Sequence, residues 1–388
     1  MIFSISKKNT FAIVFYFKMK YTFLIILLSA FYFSCKKQID SSNNSIEFEK
    51  EVRLDYAKKI KIFKAKNYTR VQIENLASFS NYYFTTKKNK QQHADTIYTP
   101  IDKIVVTSTT DIPILEILNV EDKLIGFPQP EYISSVKTRK RIDANEVVNL
   151  GNNQQLNPEL ILELHPEVIV GFSINSNQSL HAIIEQSGTH LLMNASWQEN
   201  HPLGRAEWIK LFGVLFNKEK QADSIFNRVK NNYLKQYNLV QQQTKKPTIL
   251  SGNPYQGTWY VPGGKSYMAT LIKHAGGNYL WASNQDEKSL HLNFESIILN
   301  AKNADYWIDA GNYKSIENLK NNVNDINILK AFKTKNIFTK DFKKGTTGGN
   351  LFYEFSALHP DWVLSDLVNI INPKFAAQDT IYFYQKLH

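Results

Sequence analysis

The segment LNPELILELHPEVIVGF, residues 156–172, has a counterpart in LNFESIILNAKNADYWIDAG, residues 292–311. Each begins with Leu-Asn-x-Glu, continues with apolar residues at helical spacing and ends in a short run typical of a buried strand. Asn157 and Asn293 are suited to cap their helices, because an amide oxygen accepts the free N–H groups of the first turn. A unit that occurs twice indicates that the chain consists of two similar halves.

The likeness between the halves extends on both sides of this unit. Strand-like runs at 103–107 and 247–250 each precede a segment with helical spacing, and helix-then-strand patterns recur at 180–193 and 328–339. Such a β-α-β-α-β series is typical of a mainly parallel sheet with helices on both faces. We therefore predict an α/β fold with two Rossmann-like lobes and a ligand cleft between them, where the strand ends of both lobes face each other.

The segment between the halves predicts a long connecting helix. Apolar residues from Trp208 to Val240 recur close to the helical period, with an interruption at Asn217 and Lys218. At about 1.5 Å per residue, an uninterrupted part of about 25 residues would be roughly 38 Å long and could join both lobes as a spine. Because a helix resists bending, we expect only modest closure of the lobes. The alternative is an ordinary long helix inside one lobe.

The N-terminus has the features of an export signal. Lys18-Met19-Lys20 precede an uncharged, mostly apolar run at 21–33, which ends at Ser34 and the single cysteine, Cys35. A small residue before the cysteine is similar to a bacterial lipobox, in which that thiol is acylated, and we expect a lipid anchor at Cys35. A non-cleaved anchor helix is the alternative, and either Met1 or Met19 can be the start. The predicted divisions are a signal peptide 1–35, a linker 36–56, an N-terminal lobe 57–198, a spine helix 199–245 and a C-terminal lobe 246–388.

Alternating apolar and polar residues at 57–86 indicate strands with one solvent-exposed face, which we expect to add to the first lobe.

The composition excludes several other classes of protein. The formal charge of +11 comes from bases spread along the chain, without the dense basic and aromatic run of a nucleic-acid binder. One cysteine and scattered histidines indicate neither a disulfide framework nor a built-in metal centre.

Taken in order, these features resemble the class III substrate-binding proteins of ABC importers. The resemblance rests on the leader, the repeated Asn-x-Glu helix start, the connecting helix, WYVPGGKSYMATLIKHAGGNYLW at 259–281 and GGNLFYEFSALHPDWVLSDL at 348–367. It covers roughly residues 97–388. The resemblance implies a monomeric, non-enzymatic protein on the periplasmic side of the envelope. Its cargo would be a ferric siderophore, haem or cobalamin rather than a resident cofactor.

The resemblance also implies how the protein meets its partner, an ABC permease dimer. In the family, one exposed glutamate at the tip of each lobe pairs with permease arginines, and Glu159 and Glu295 occupy the matching helix starts. Two carboxylates held at matched positions suit a two-fold symmetric partner. The alternative is that each glutamate only stabilises the start of its own helix, where the helix dipole favours a carboxylate.

Aromatic residues on cleft loops suit large, flat ligands, because a rigid ring buries area at little entropic cost. Two further residues carry charge: Arg205 could clamp an oxygen anion, and Asp111 follows the first strand, where relatives often have a cleft residue. Arg139 and Arg141 could form a basic rim for an anionic chelate. The predicted ligand-binding residues are Phe172, Trp197, Trp259, Tyr260, Trp281, Arg205 and Asp111.

Three alternative functions would require other features in the sequence. A Zn²⁺- or Mn²⁺-binding lipoprotein of the same architecture would need about three histidines and a carboxylate in the cleft, and only His201 and His291 are candidates. A chelatase-like enzyme shares the two lobes, but the sequence has no Walker A loop or G-x-S-x-G motif. A surface adhesin is a third alternative that would not require duplicated lobes.

Overall fold

The computed structural model describes residues 50–75, 78–86, 96–152, 155–171, 184, 186–375 and 381–388. Residues Phe48–His388 form one compact unit. The described strands are β1 Lys50–Val52, β2 Ile60–Lys64, β3 Tyr68–Asn75, β4 Ser78–Thr85, β5 Thr96–Tyr98, β6 Ile104–Val106, β7 Leu124–Phe127, β8 Val148–Asn149, β9 Gly151–Asn152, β10 Gln155–Leu156, β11 Val168–Gly171, β12 His190–Met193, β13 Thr248–Ser251, β14 Asn253–Tyr255, β15 Thr258–Pro262, β16 Asn278–Tyr279, β17 Ser289–Leu292, β18 Tyr306–Ile308, β19 Ile337–Thr339 and β20 Gln385–Lys386.

The described α-helices follow the same chain order, and short 3-10 helices precede or follow several of them. None of these helices is both long enough and apolar enough to cross a membrane. The helices are α1 Ile112–Ile117, α2 Val136–Asp143, α3 Pro158–Leu164, α4 Pro202–Glu207, α5 Ile209–Leu215, α6 Glu219–Gln241, α7 Tyr267–His274, α8 Phe294–Ala301, α9 Ile316–Asn322, α10 Lys330–Lys333, α11 Leu351–Phe355 and α12 Pro360–Ile371.

Two five-stranded sheets confirm the predicted α/β architecture. The first lobe has the order β12-β11-β6-β7-β8, and all of its strands are parallel. The second lobe has the order β16-β13-β18-β19-β20, with only β20 antiparallel. In each lobe the first strand (β6 or β13) lies beside the strand that follows it in the chain (β7 or β16), and two later parallel strands (β11 and β12, or β18 and β19) lie in order on its other side. The two halves therefore share this four-strand order and differ in the fifth strand, which lies beside β7 in the first lobe and beside β19 in the second.

Neighbouring residues of single strands show that both sheets are covered on both faces. In β6, Ile104 belongs to a different apolar cluster from Val105, and in β13 the same holds for Ile249 and Leu250. Successive side chains of a strand point to opposite faces, so each sheet has a packed layer on either side. The cluster with Ile104 continues through Phe226 of α6 into the second lobe, and it joins the lobes by one apolar core.

The connecting segment consists of α4, α5 and α6 rather than one helix. The break before α6 falls at Asn217, whose φ is 54°, as the sequence predicted. The 23 residues of α6 span about 35 Å. Near its start, Gln221 donates a hydrogen bond to Ile117 O of the first lobe, and further along, Asn232 donates one to Asp361 of the second. The helix thus contacts both lobes, which confirms the prediction of a spine.

The N-terminal strands differ from the prediction in two ways. They form a separate sheet, β1 to β5 in chain order, instead of extending the sheet of the first lobe. The end of the segment assigned to a linker is folded: β1 pairs with β2, and the buried Glu207 accepts hydrogen bonds from the backbone N–H groups of residues 55–57. Charged acceptors make strong hydrogen bonds, so Glu207 fixes this sheet to α4 of the connecting segment. The predicted leader 1–35, with Cys35, lies outside the described residues.

Candidate functional site in the cleft between the lobes

A cavity of about 560 Å³ lies between the lobes, at the edge where strands of both sheets end. The first lobe contributes residues that follow β6 and β7, and the second contributes residues that follow β18 and β19. This is where ligands bind in open parallel sheets, and the location agrees with the cleft predicted from the sequence. The lining residues are 107–109, 127–129 and Tyr132 of the first lobe, and Asn312, Asp341, Lys344, Gly348, Asn350 and Tyr353 of the second.

Local backbone features present the aromatic residues of the cavity. Gln129 has a φ of 51°, a left-handed conformation that turns the chain after β7 into the 3-10 helix Pro130–Tyr132. Tyr132, at the end of that turn, is 50% exposed. In the second lobe the side chain of Asn350 caps α11 by accepting a hydrogen bond from Phe352 N, and Tyr353 of that helix is 55% exposed. Each lobe therefore offers one accessible tyrosine to the cavity.

Hydroxyl groups of the first lobe line the opposite part of the cavity. Thr107 directly follows β6, and Ser108 caps the 3-10 helix Thr109–Asp111 by accepting a hydrogen bond from Thr110 N. The Ser108 and Thr110 hydroxyls are 2.7 Å apart. This turn keeps short polar side chains at the sheet edge, where a hydroxyl can donate to or accept from a ligand.

Two oppositely charged side chains, Asp341 and Lys344, line the cavity in the second lobe. Burial raises the pKa of Asp341, and the nearby Lys340 ammonium opposes that rise. Behind the lining, Lys340 lies 2.8 Å from Asp309 in a largely buried ion pair. Burial lowers the pKa of Lys340, but the negative Asp309 outweighs it, so the net shift is upward. In the second lobe, the two lysines at or behind the cavity lining are therefore matched by two aspartates, and the side chains there carry no excess charge.

A polar contact between the lobes lies next to the cavity, and we call it the lobe bridge: Ser134 and Ser135 of the first lobe with Gly349 and Glu354 of the second. Glu354 is fully buried and accepts hydrogen bonds from Ser134 N at 2.7 Å, Ser135 N at 2.8 Å and Ser135 Oγ at 2.5 Å. A Cβ at Gly349 would lie 2.0 Å from Tyr132 O, so only glycine permits this approach. The lobe bridge and the spine together limit movement of the lobes.

The structure corrects the prediction for Trp259. The glycines at 257, 263 and 264 favour a cleft loop here, but Trp259 lies within β15, whose Trp259 and Val261 both face inward. Trp259 is 2% exposed, and its ring centroid is 5.0 Å from that of Trp307. It belongs to the core of the second lobe, because the alternation of β15 directs it under the sheet rather than toward a ligand.

Tyr260, Trp281 and Trp197, also predicted to bind ligand, do not line the cavity. Tyr260 is half-buried, and its ring packs edge-on against His291 with centroids 4.8 Å apart. Trp281 packs between two apolar clusters of the core. Trp197 is 50% exposed in a 3-10 helix that precedes α4.

Arg205, predicted to bind a ligand anion, makes contacts within the protein instead. Its guanidinium donates to the carbonyls of Trp197 and Glu199 at 3.0 Å each and lies 3.8 Å above the ring of Tyr267. Burial lowers its pKa. These contacts fix the turn before α4 to α7, so the predicted clamp for a ligand anion serves instead to hold the chain where it passes between the lobes.

Asp111 lies beside the cavity rather than in it. It is 1% exposed, and its Oδ1 accepts a hydrogen bond of 2.8 Å from Asn194 Nδ2. Burial raises its pKa to about 8, against the opposing effect of the Asn194 hydrogen bond. The uncharged acid therefore predominates at neutral pH, and Asp111 brings no fixed charge to the cleft. Phe172, the last predicted ligand residue, lies outside the described residues.

The two arginines of the predicted basic rim form ion pairs with nearby carboxylates. Arg139 pairs with Asp143 at 3.0 Å, and Arg141 pairs with Glu146 at 2.9 Å. Among the described residues, no group of three or more His, Cys, Asp or Glu is placed to hold a metal ion. His201, one candidate ligand, instead caps α4 by accepting a hydrogen bond from Leu203 N at 3.2 Å.

Glu159 and Glu295 are both exposed in the first turns of α3 and α8. The caps are made by the asparagines: Asn157 accepts from the backbone N–H groups of Glu159 and Leu160, and Asn293 accepts from that of Ser296. Since the asparagines do the capping, the glutamate side chains remain accessible from solvent. Their role in docking stays a prediction.

Comparison with known proteins identifies the class of protein that this fold and cleft define. The family model for periplasmic binding proteins matches residues 104–343, more than half of the chain. The chain therefore belongs to the periplasmic binding protein family, and the class III assignment made from the sequence is confirmed. Proteins of this family are the substrate-binding components of ABC importers.

Individual relatives agree with this assignment. An uncharacterized lipoprotein of Methanocaldococcus jannaschii is 26% identical over 297 residues, which cover 74% of this chain and 69% of the relative. A solved structure from Staphylococcus epidermidis, described as a possible iron-binding periplasmic solute-binding protein, has a TM-score of 0.56 at 17% identity and covers 71% of this chain and 100% of that one. A periplasmic haem-binding protein of Vibrio cholerae has a TM-score of 0.53 at 17% identity and covers 68% and 99%.

Proposed function

We propose that the protein is a lipid-anchored substrate-binding protein that captures a ferric siderophore, haem or cobalamin in the interlobe cleft and delivers it to an ABC permease. The observation that carries this proposal is the cavity at the strand ends of both sheets, with Tyr132 and Tyr353 accessible from opposite lobes. Two accessible aromatic rings suit a large chelate with flat or apolar parts. The iron-binding and haem-binding descriptions of the similar structures support the same kind of cargo.

Capture in this proposal needs little movement of the protein. The spine α6, the shared apolar core and the lobe bridge hold the two lobes in one arrangement. A preformed cleft loses little conformational freedom when a ligand enters, so more of the contact energy contributes to affinity. Release to the permease then requires the partner to supply the energy that separates the lobes or displaces the chelate.

Delivery is proposed to depend on Glu159 and Glu295, supported by their exposure and their equivalent places in the two lobes. Complementary charges across an interface direct partners into register. The anchor is proposed at Cys35, and a relative named as a lipoprotein supports it. The tether would keep the protein close to the permease and raise its effective concentration there.

Charge reversal of both glutamates tests the proposal. Cells that carry Glu159→Lys together with Glu295→Lys should lose uptake of radiolabelled chelate, while the purified variant keeps its affinity for that chelate. Exposed glutamates outside the two matched positions, Glu163 on α3 and Glu317 on α9, provide a control pair, and reversing them should leave uptake close to the wild-type level. Uptake that survives the first pair of changes, or an affinity that is lost with it, contradicts the docking role.

A further inference from the structure

Uncharged polar groups dominate the lining of the cleft. Thr107, Ser108 and Thr109 supply hydroxyls, and Gln129, Asn312 and Asn350 supply amides. Each of these groups can both donate and accept a hydrogen bond, so they suit a ligand whose surface carries carbonyl, amide and hydroxyl groups. They offer no charge to neutralise a carboxylate or catecholate.

The charged side chains at the cleft do not create an excess of positive charge. Lys344 and Asp341 line the same cavity with opposite signs, and Lys340 is paired with Asp309 at 2.8 Å. A ligand with several negative charges would be attracted by Lys344 but repelled by Asp341. It would also have to lose much of its hydration without gaining a compensating partner, which is costly for a charge.

The arginines nearest to the cleft in the sequence do not alter this balance. Arg139 and Arg141, the nearest arginines in the sequence to the cleft residues of the first lobe, are paired with carboxylates of their own region.

The remaining lining includes two accessible aromatic residues. Tyr132 and Tyr353 each keep about half of their surface exposed, whereas Phe127, the last residue of β7, is 2% exposed. A ligand that covers both tyrosine rings removes apolar surface from water without requiring charge on the ligand. The cleft therefore combines neutral hydrogen-bonding groups with two ring faces.

We infer that the cargo is a metal chelate of low net charge, such as a neutral ferric hydroxamate or a corrinoid, held by the hydroxyls and amides and by the rings of Tyr132 and Tyr353. This inference rests on the proposed function and narrows its substrate class. It separates these ligands from haem, which carries two carboxylates, and from ferric tris-catecholates, which are polyanions.

Calorimetric titration of the full chain in detergent tests the inference, with empty micelles as the reference. The probes are a neutral ferric trihydroxamate, cyanocobalamin, haem and a ferric tris-catecholate. We expect one of the two low-charge probes to bind about tenfold or more tightly than both anionic probes. Its affinity should change less than about twofold when the salt rises from about 50 mM to about 500 mM, because screening acts on charged pairs.

Variants of the cleft give a second readout with matched controls. Tyr132→Ala and Tyr353→Ala should each weaken the preferred low-charge probe by about tenfold or more, whereas Tyr353→Phe, which keeps the ring, should not. Lys344→Ala should change that affinity by less than about twofold. Preferential binding of haem or the catecholate, with affinity lost in salt and in Lys344→Ala, overturns the inference but leaves the proposed function standing. Failure of all four probes to bind would refute the proposed function as well.

Discussion

Replacing Glu354 by alanine should remove the carboxylate that joins the two lobes at the lobe bridge. In the native protein that buried side chain accepts two backbone N–H groups and one hydroxyl from Ser134 and Ser135. Alanine cannot accept these bonds, and the position it would occupy in α11 is fully buried. The two backbone donors would then lose their partners.

The expected cost follows from these contacts. A donor left unsatisfied in a buried position costs about 1–3 kcal/mol, so two backbone donors and a hydroxyl predict a loss of about 3–5 kcal/mol in the free energy of unfolding. Glu354→Gln keeps one acceptor oxygen of the same shape and should cost about 1–2 kcal/mol. An exposed glutamate of the second lobe, Glu317, is the matched control, and its replacement by alanine should change stability by less than about 0.5 kcal/mol.

Urea unfolding followed by circular dichroism measures these differences, and hydrogen exchange locates them. The amides of Ser134 and Ser135 should exchange faster in Glu354→Ala than in the wild type, because opening of the lobe bridge exposes them. A change below about 0.5 kcal/mol for Glu354→Ala, with unchanged exchange at both serines, would refute the view that the lobe bridge holds the cleft in shape.

Two further predictions concern Trp259 in the core of the second lobe and the partly buried His274 at the end of α7. Trp259→Ala should lower the free energy of unfolding, measured in urea, by about 3–5 kcal/mol because it leaves a cavity in the core. The variant should keep the wild-type affinity for the chelate. Weaker chelate binding at unchanged stability would show instead that Trp259 contacts the ligand. Burial, with the nearby His201, lowers the pKa of His274 to about 4. Since the fold prefers the neutral ring, the contribution of His274 to stability is complete above about pH 6.5 and should fall by about 2–3 kcal/mol as the pH drops from about 6.5 toward about 4. Asp111, whose pKa is raised, contributes with the opposite sign, so the measured quantity is the difference in stability between the wild type and His274→Gln. A difference that stays constant over this pH range contradicts the prediction.

The repeated unit was the part of the fold that the sequence could specify. Helix spacing, Asn caps and buried runs are local features, and they predicted two mainly parallel sheets. The apolar spacing at 267–274 likewise favours a helix, and α7 has these bounds because Ser266 caps it by accepting a hydrogen bond from Ala269 N. These signals depend on neighbours in the chain, which a single sequence contains.

The end of the chain shows where local patterns fail. The apolar run at 381–384 favours a strand, but β20 lies at Gln385–Lys386. The backbone N–H groups of residues 382–384 donate instead to the buried carboxylate of Asp366 in α12. Groups bonded to a side chain are not available for a sheet, and no pattern within residues 381–384 indicates that distant carboxylate.

The cleft residues were missed for a related reason. Tyr132 ends a 3-10 helix and Tyr353 lies in the short helix α11, and their presence at one cavity depends on Gln129 in a left-handed conformation and on the close approach permitted by Gly349. Trp259 lies between Gly257 and Pro262-Gly263-Gly264, a composition that favours a loop, yet residues 258–262 form β15. The one available signal was position: residues just after β7 and β19 follow strand ends that face the cleft.

Native mass spectrometry of the protein isolated from metal-limited cells tests most directly whether the cleft holds a chelate. We predict an added mass that corresponds to an intact organic chelate with its metal, and we predict that it is lost when Tyr132 and Tyr353 are both replaced by alanine. A bare zinc or manganese ion, or a chelate that the double variant retains in full, would contradict binding between the two lobes.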